Sequence, residues 1–150
     1  MTANQQWASF LKKYDPKIAS AAKKALAKMR KLVPGATEMV YDNYNALVVG
    51  FGPNAKASLA VFSLALFPGH ISLCFLQGAG LPDPGKRLLG SGNVARHVKL
   101  IPLDVLDHRE IRKLITLAMN RAKGPFDPSQ KRTMIIKSIS KNQRPRRPAK

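Results

Sequence analysis

The chain has 150 residues, of which 45% are hydrophobic, so a wholly disordered chain is excluded and one globular domain is expected. Lys and Arg number 26 against 8 Asp and Glu, which gives a formal net charge of +18. Such a surface attracts polyanions such as nucleic acid, anionic lipid or acidic proteins. The alternative is that the charge only keeps the protein soluble.

Nothing in the sequence predicts export or membrane insertion. Residues 1–7 lack a basic segment followed by an apolar one, so no secretory signal is expected. The longest apolar stretch, residues 59–67, is about half of the ~20 residues that a membrane span needs. The single cysteine, Cys74, has no disulfide partner in the chain and is expected to be a small buried hydrophobe. A cytoplasmic protein without a membrane span is therefore predicted.

Two helices are predicted at the start of the chain. Residues 5–13 favour a short helix, and the next begins with Asp15 as its N-cap and Pro16 in its first turn. Pro34 and Gly35 end this second helix. Its predicted buried stripe consists of Ile18, Ala22, Ala25, Met29 and Leu32.

A separate stripe of the second helix is basic and has no acids between its lysines. At about 100° per residue, four lysines fall close together on one side of the helix. These are Lys17, Lys24, Lys28 and Lys31. The stripe predicts a surface that could follow a phosphate backbone, and the alternative is an ordinary solvated helix face.

The middle of the chain predicts an antiparallel sheet. The predicted strands are residues 39–44, 46–51, 58–67, 70–76 and 98–101. The turns between the first four are too short for crossover helices, so these strands should form a meander. The expected fold is α+β, with an antiparallel meander of about five strands packed against N- and C-terminal helices.

A last helix and a basic tail complete the prediction. Asp107 and Glu110 have capping-box spacing for a helix that closes at Gly124, so the folded domain should cover residues 1–124. Residues 125–150 are predicted to be a basic, disordered tail. Its basic residues are Lys131, Arg132, Lys137, Lys141, Arg144, Arg146, Arg147 and Lys150.

The irregular segment of residues 77–92 ends in a candidate anion site. Gly90, Ser91 and Gly92 precede Arg96 and His97. Glycines allow backbone N–H groups to approach an anion, and arginine can pair bidentately with phosphate or carboxylate. The segment is not a Walker A motif, because the Gly-Lys-Ser/Thr ending is absent. The alternative is a glycine turn leading into a strand, with Arg96 paired with an acid such as Asp83.

A second constellation lies at residues 41–45. Tyr41, Asp42 and Asn45, with Tyr44, could line a polar pocket beside the glycine loop (residues 90–92), with Asp42 orienting Arg96 or His97. The alternative is ordinary turn chemistry, in which Asp and Asn bond their own backbone.

The histidines do not predict a metal centre. His70, His97 and His108 lack the spacing of a metal site, and there is no second cysteine to complete one. Neither a metal nor a cofactor is therefore predicted.

Several motifs resemble one known family. They are VPGA at residues 33–36, YDNYNALVVGF at 41–51, FLQGA with LPDP at 75–84, and LGSG followed by RHV at 89–98. Over residues 12–123 the chain resembles the YdhG-like domains of unknown function. The resemblance implies an α+β fold with an antiparallel sheet backed by terminal helices. Some relatives are described as frataxin-like iron chaperones, a role that implies acidic side chains where this chain has a basic helix.

Three functions follow as hypotheses. The leading one is a non-enzymatic binding domain for an anionic small molecule or acidic partner, with non-specific nucleic-acid binding included. The alternative is a metal chaperone or small-molecule enzyme with a pocket between the glycine loop and residues 41–45. The third is an adaptor that uses an apolar sheet face. Few aromatics lie near the basic residues in sequence, which argues against stacking on single-stranded nucleic acid.

Overall fold

The computed structural model describes residues 1–148, which form a six-stranded sheet with helices packed on one face. The helices are α1 (Ala3–Leu11), α2 (Pro16–Leu32) and α3 (Arg109–Asn120). The strands are β1 (Thr37–Asp42), β2 (Leu47–Gly52), β3 (Phe62–Leu66), β4 (Ile71–Phe75), β5 (Arg96–Lys99) and β6 (Thr133–Ile139). Their spatial order is β5-β4-β3-β2-β1-β6.

The first five strands form the predicted antiparallel meander. Each pairs with the next in sequence, and short turns connect β1 to β2 and β3 to β4. Because side chains alternate along a strand, every second side chain lies on the face of the sheet that the helices cover. One row of cross-strand partners on that face runs Val40, Val49, Leu64, Leu73 and Val98, all of them buried in the core. The predicted α+β class, with a meander and flanking helices, is confirmed.

The helices cover this face with their apolar stripes. Asp15 caps α2 by accepting from the backbone N–H of Lys17, and Pro16 occupies the first turn, as predicted. The stripe from Ile18 to Met29 is buried against the sheet. Burial of each large apolar side chain contributes about 1.5–3 kcal/mol, so the shared core holds the two layers together.

The C-terminal segment corrects one prediction. Residues 125–150 were expected to form a disordered arm, but residues 133–139 form β6, which pairs in parallel with the outer edge of β1. Residues 149–150 of that predicted arm lie outside the described residues. Met134 and Ile136 pack against the core, and pairing satisfies the edge hydrogen bonds of β1. The apolar residues thus outweigh the basic composition, and the sheet has six strands rather than about five.

The start of α3 also differs from the prediction. The N-cap position is His108, which makes no capping bond through its side chain, and Asp107 lies just before it. Asp107 instead accepts from the ammonium of Lys28 on α2 at 2.8 Å. An interhelical ion pair therefore replaces the predicted capping box. No helix within residues 1–148 is long and apolar enough to cross a membrane.

Candidate functional site

The strand order separates the two polar constellations that the sequence suggested. Tyr41 and Asp42 end β1, whereas Arg96 and His97 begin β5. Strands β2, β3 and β4 lie between them, so the distance across the sheet is about 19 Å at ~4.8 Å per strand. Asp42 therefore does not orient Arg96 or His97, and the expected pocket between residues 41–45 and the glycine loop does not form.

The glycine loop is folded around Arg96. The Nη1 of Arg96 donates to the carbonyls of Gly92 and Ala95, the second at 2.8 Å. Gly90 has φ +117°, a conformation that favours glycine, while Ser91 and Gly92 are exposed to solvent. The loop thus supplies acceptors to its own arginine rather than a ready cradle of N–H groups.

Asp83 does not pair with Arg96 either. Its carboxylate accepts the backbone N–H groups of Arg87 and Leu88, each at 2.9 Å, and so fixes the preceding turn. The side chain of Arg87 in turn donates to Glu110 on α3 at 2.9 Å. The segment before the glycine loop is therefore anchored to a helix.

Asp42 is the centre of a buried ionic cluster. Its carboxylate contacts Lys13 at 2.7 Å and Arg146 at 2.9 Å, and its side chain is fully buried. Burial alone would raise the pKa of Asp42, but the hydrogen bonds and charges of its partners outweigh burial and lower it. Asp42 therefore stays ionised and ties the C-terminal segment to β1.

Tyr14 supports the same cluster. The guanidinium of Arg146 lies 5.9 Å from the Tyr14 ring centroid. The Tyr14 hydroxyl donates to the carbonyl of Leu66 at 2.8 Å and accepts from the N–H of Leu47 at 3.2 Å. Burial raises the pKa of Tyr14, so the hydroxyl remains protonated. Sequence reasoning missed Arg146 because its partner lies 104 residues away.

The lysine stripe of α2 continues onto α3. Asp107 joins the two helices, since it contacts Lys28 at 2.8 Å and Arg112 at 3.3 Å. The hydrogen bond from Lys28, followed by the charges of Lys28 and Arg112, lowers the pKa of Asp107. A shallow groove of about 590 Å³ beside this junction includes Arg109 and Lys113 in its lining.

We call this surface the basic helix face. It is made of Lys17, Lys24, Lys28, Lys31, Arg109, Arg112 and Lys113. Within residues 1–148, Asp107 is the acid that pairs with members of this face. The basic helix face therefore has a strong net positive charge, because one carboxylate neutralises little of it.

The thiol and the imidazoles do not form a reactive centre. Cys74 is half-buried and faces His97 across the β4–β5 pair. Burial raises the pKa of Cys74, so the thiol is less ionised than an ordinary cysteine. Among residues 1–148, no three His, Cys, Asp or Glu side chains lie close enough together to hold a metal ion.

Comparisons of the chain with protein-family models, with curated proteins and with solved structures find no match. The YdhG-like resemblance therefore remains a prediction from the motifs.

Proposed function

We propose that this protein is a non-enzymatic binding domain for an anionic partner, and that the basic helix face is its main contact surface. The observation that carries the proposal is the junction at Asp107, which joins Lys28 of α2 to Arg112 of α3. Two helices thus contribute cations to one surface.

The dimensions of the surface favour an extended anion. Lys17 and Lys31 are fourteen residues apart on α2, which corresponds to about 21 Å along the helix axis. That length equals the rise of about six base pairs of duplex DNA. A polyanion such as nucleic acid can therefore contact several members of the basic helix face at once, whereas a small anion would contact one or two.

The glycine loop is assigned a secondary role in this proposal. Arg96 already donates to two carbonyls of its own loop, so binding an external anion there would require rearrangement. We also propose that the chain belongs to the YdhG-like family, on its motifs. A cytoplasmic location is proposed because the lone thiol of Cys74 suits a reducing compartment.

A charge-matched pair of variants tests the proposal. Lys24→Ala/Lys31→Ala removes two charges from the basic helix face. Lys56→Ala/Lys99→Ala removes two from elsewhere, because Lys56 lies in the loop after β2 and Lys99 alternates with the core residue Val98 on β5. Fluorescence anisotropy with a short labelled duplex at low salt should show a large loss of affinity for the first variant and a small loss for the second. Equal losses, or no binding by the wild type, would refute the proposed function.

A further inference from the structure

A groove lies at the end of the sheet where the β1–β2 turn, the β3–β4 turn and the C-terminal segment meet. One part is an open cleft of about 660 Å³. Its lining residues are Asn45, Phe67, Pro68, Arg144, Pro145, Arg147 and Pro148. A second depression of about 540 Å³ includes Tyr44 and shares Asn45 and Phe67 with the first. The two depressions are adjacent, and we call them together the turn groove.

The turn groove presents aromatic rings. Phe67 stacks on His70, with the ring centroids 4.6 Å apart and the planes at 13°. Tyr44 is 51% exposed, although it is a large aromatic residue. The guanidinium of Arg144 lies 5.7 Å from its ring centroid. An exposed aromatic ring beside a cation, as at Tyr44, is typical of sites on which nucleobases stack, and the half-buried Phe67 adds a second ring.

The same groove is basic, and its cations are held in place. The backbone N–H of Arg144 donates to the carbonyl of Tyr44 at 2.9 Å, which fixes Arg144 beside the β1–β2 turn. The side chain of Arg147 reaches the carbonyls of Lys12 and Lys13 at 3.4–3.5 Å. None of the residues that line the groove is acidic.

The buried cluster beneath the groove explains why it is preorganised. Arg146 lies between the two groove arginines in sequence and is only 5% exposed. Its pairing with Asp42, the nearest acid in sequence to Tyr44 and Asn45, also neutralises that carboxylate. The segment carrying Arg144 and Arg147 is thereby fixed to the sheet before any ligand arrives, which lowers the ordering cost of binding.

We infer that the turn groove binds single-stranded nucleic acid, with bases stacked on Phe67 and Tyr44 and phosphates paired with Arg144. The inference depends on the proposed function, because it assumes that the partner is anionic. It adds the chemical class of that partner. Unpaired bases expose the faces that stacking requires, whereas a duplex hides them. The Asp and Glu side chains of an acidic peptide would pair with the arginines but have no flat rings to stack on Phe67 and Tyr44. The sequence had suggested few aromatics near the cations, because Tyr44 and Phe67 lie far from residues 144–147 along the chain.

The test uses the full chain and two labelled probes, a short oligothymidylate and a duplex of the same length. Tyr44→Leu/Phe67→Leu keeps apolar side chains in the groove but removes the planar rings. We expect this variant to lose about tenfold or more in affinity for the single strand and to bind the duplex unchanged. Tyr44→Leu alone serves as the variant that is safe for folding, because Tyr44 is exposed, and it should show the same direction of change.

The outcomes separate the two proposals. If the single strand binds as tightly to Tyr44→Leu/Phe67→Leu as to the wild type, the turn groove is not a nucleobase site. If Lys24→Ala/Lys31→Ala still weakens duplex binding in that case, the proposed function holds without this inference. If polyglutamate competes with oligothymidylate, and Tyr44→Leu/Phe67→Leu binds both as tightly as the wild type does, the groove selects negative charge alone and the inference is overturned in favour of an acidic protein. An upfield shift of the Tyr44 ring protons on addition of oligothymidylate is the expected NMR signature of stacking.

Discussion

At the scale of single residues, Asp42 shows how one side chain can serve the fold rather than a ligand. The sequence favoured either a pocket residue or a turn residue at this position. In the structure Asp42 pairs with both Lys13 and the buried Arg146, and so joins β1 to residues 140–148. This pairing could not be predicted from local sequence, because Arg146 is part of a run of cations that resembles a disordered tail.

Asp42→Asn should therefore destabilise the protein strongly. The substitution is nearly isosteric, but it leaves the buried guanidinium of Arg146 without its counter-charge, at a cost of about 3–5 kcal/mol. Chemical denaturation at pH 7 measures this loss. Asp107→Asn, which removes an exposed carboxylate, should have a smaller effect. A result in which both variants lose the same small amount would contradict the structural role of Asp42.

The ion pair between Asp42 and Arg146 also predicts that the stability of the protein depends on pH. Because the folded protein lowers the pKa of Asp42, its ionisation stabilises the fold at pH values above the unfolded pKa of about 3.9. That stability is lost as the pH falls through the lower, folded-state pKa. The difference in unfolding free energy between the wild type and Asp42→Asn should thus shrink on acidification, and a pH-independent difference would contradict this assignment.

At the scale of elements, signals within a few residues predicted most of the helices and strands. The element that was missed depends on pairing between residues far apart in the sequence. The N-cap and proline of α2 and the short turns of the meander act within a few residues, so they are visible in sequence. Strand β6 pairs with β1 about a hundred residues earlier, and it lies in a C-terminal segment that is otherwise rich in cations. Only the short apolar run at residues 134–136 marks it, and composition gave the opposite prediction.

Truncation tests the importance of β6. A chain ending at Gly124 loses the partner of β1 and the guanidinium that pairs with Asp42. We expect a much lower Tm, with faster amide exchange in β1, than for a chain ending at Pro148. If the shorter chain melts at the same temperature, residues 125–148 are dispensable and the disordered-arm prediction was correct.

At the scale of the whole molecule, the sequence predicted the positive charge but not its arrangement. The α2 lysines were visible as a stripe, because helical periodicity is regular. Their union with Arg112 through Asp107 depends on how α3 packs, and the separation of Asp42 from Arg96 depends on strand order. Both depend on tertiary packing, so the sequence could suggest the residues of a site but could not show which of them lie close together.

The most direct measurement is the salt dependence of duplex binding. Each lysine that neutralises a phosphate contributes about one counterion to the slope of log K against log salt concentration. The slope of the Lys24→Ala/Lys31→Ala variant should therefore be shallower than that of the wild type by about two, while Lys56→Ala/Lys99→Ala keeps the wild-type slope. If all three proteins share one slope, the basic helix face does not contact the polyanion and the central claim is wrong.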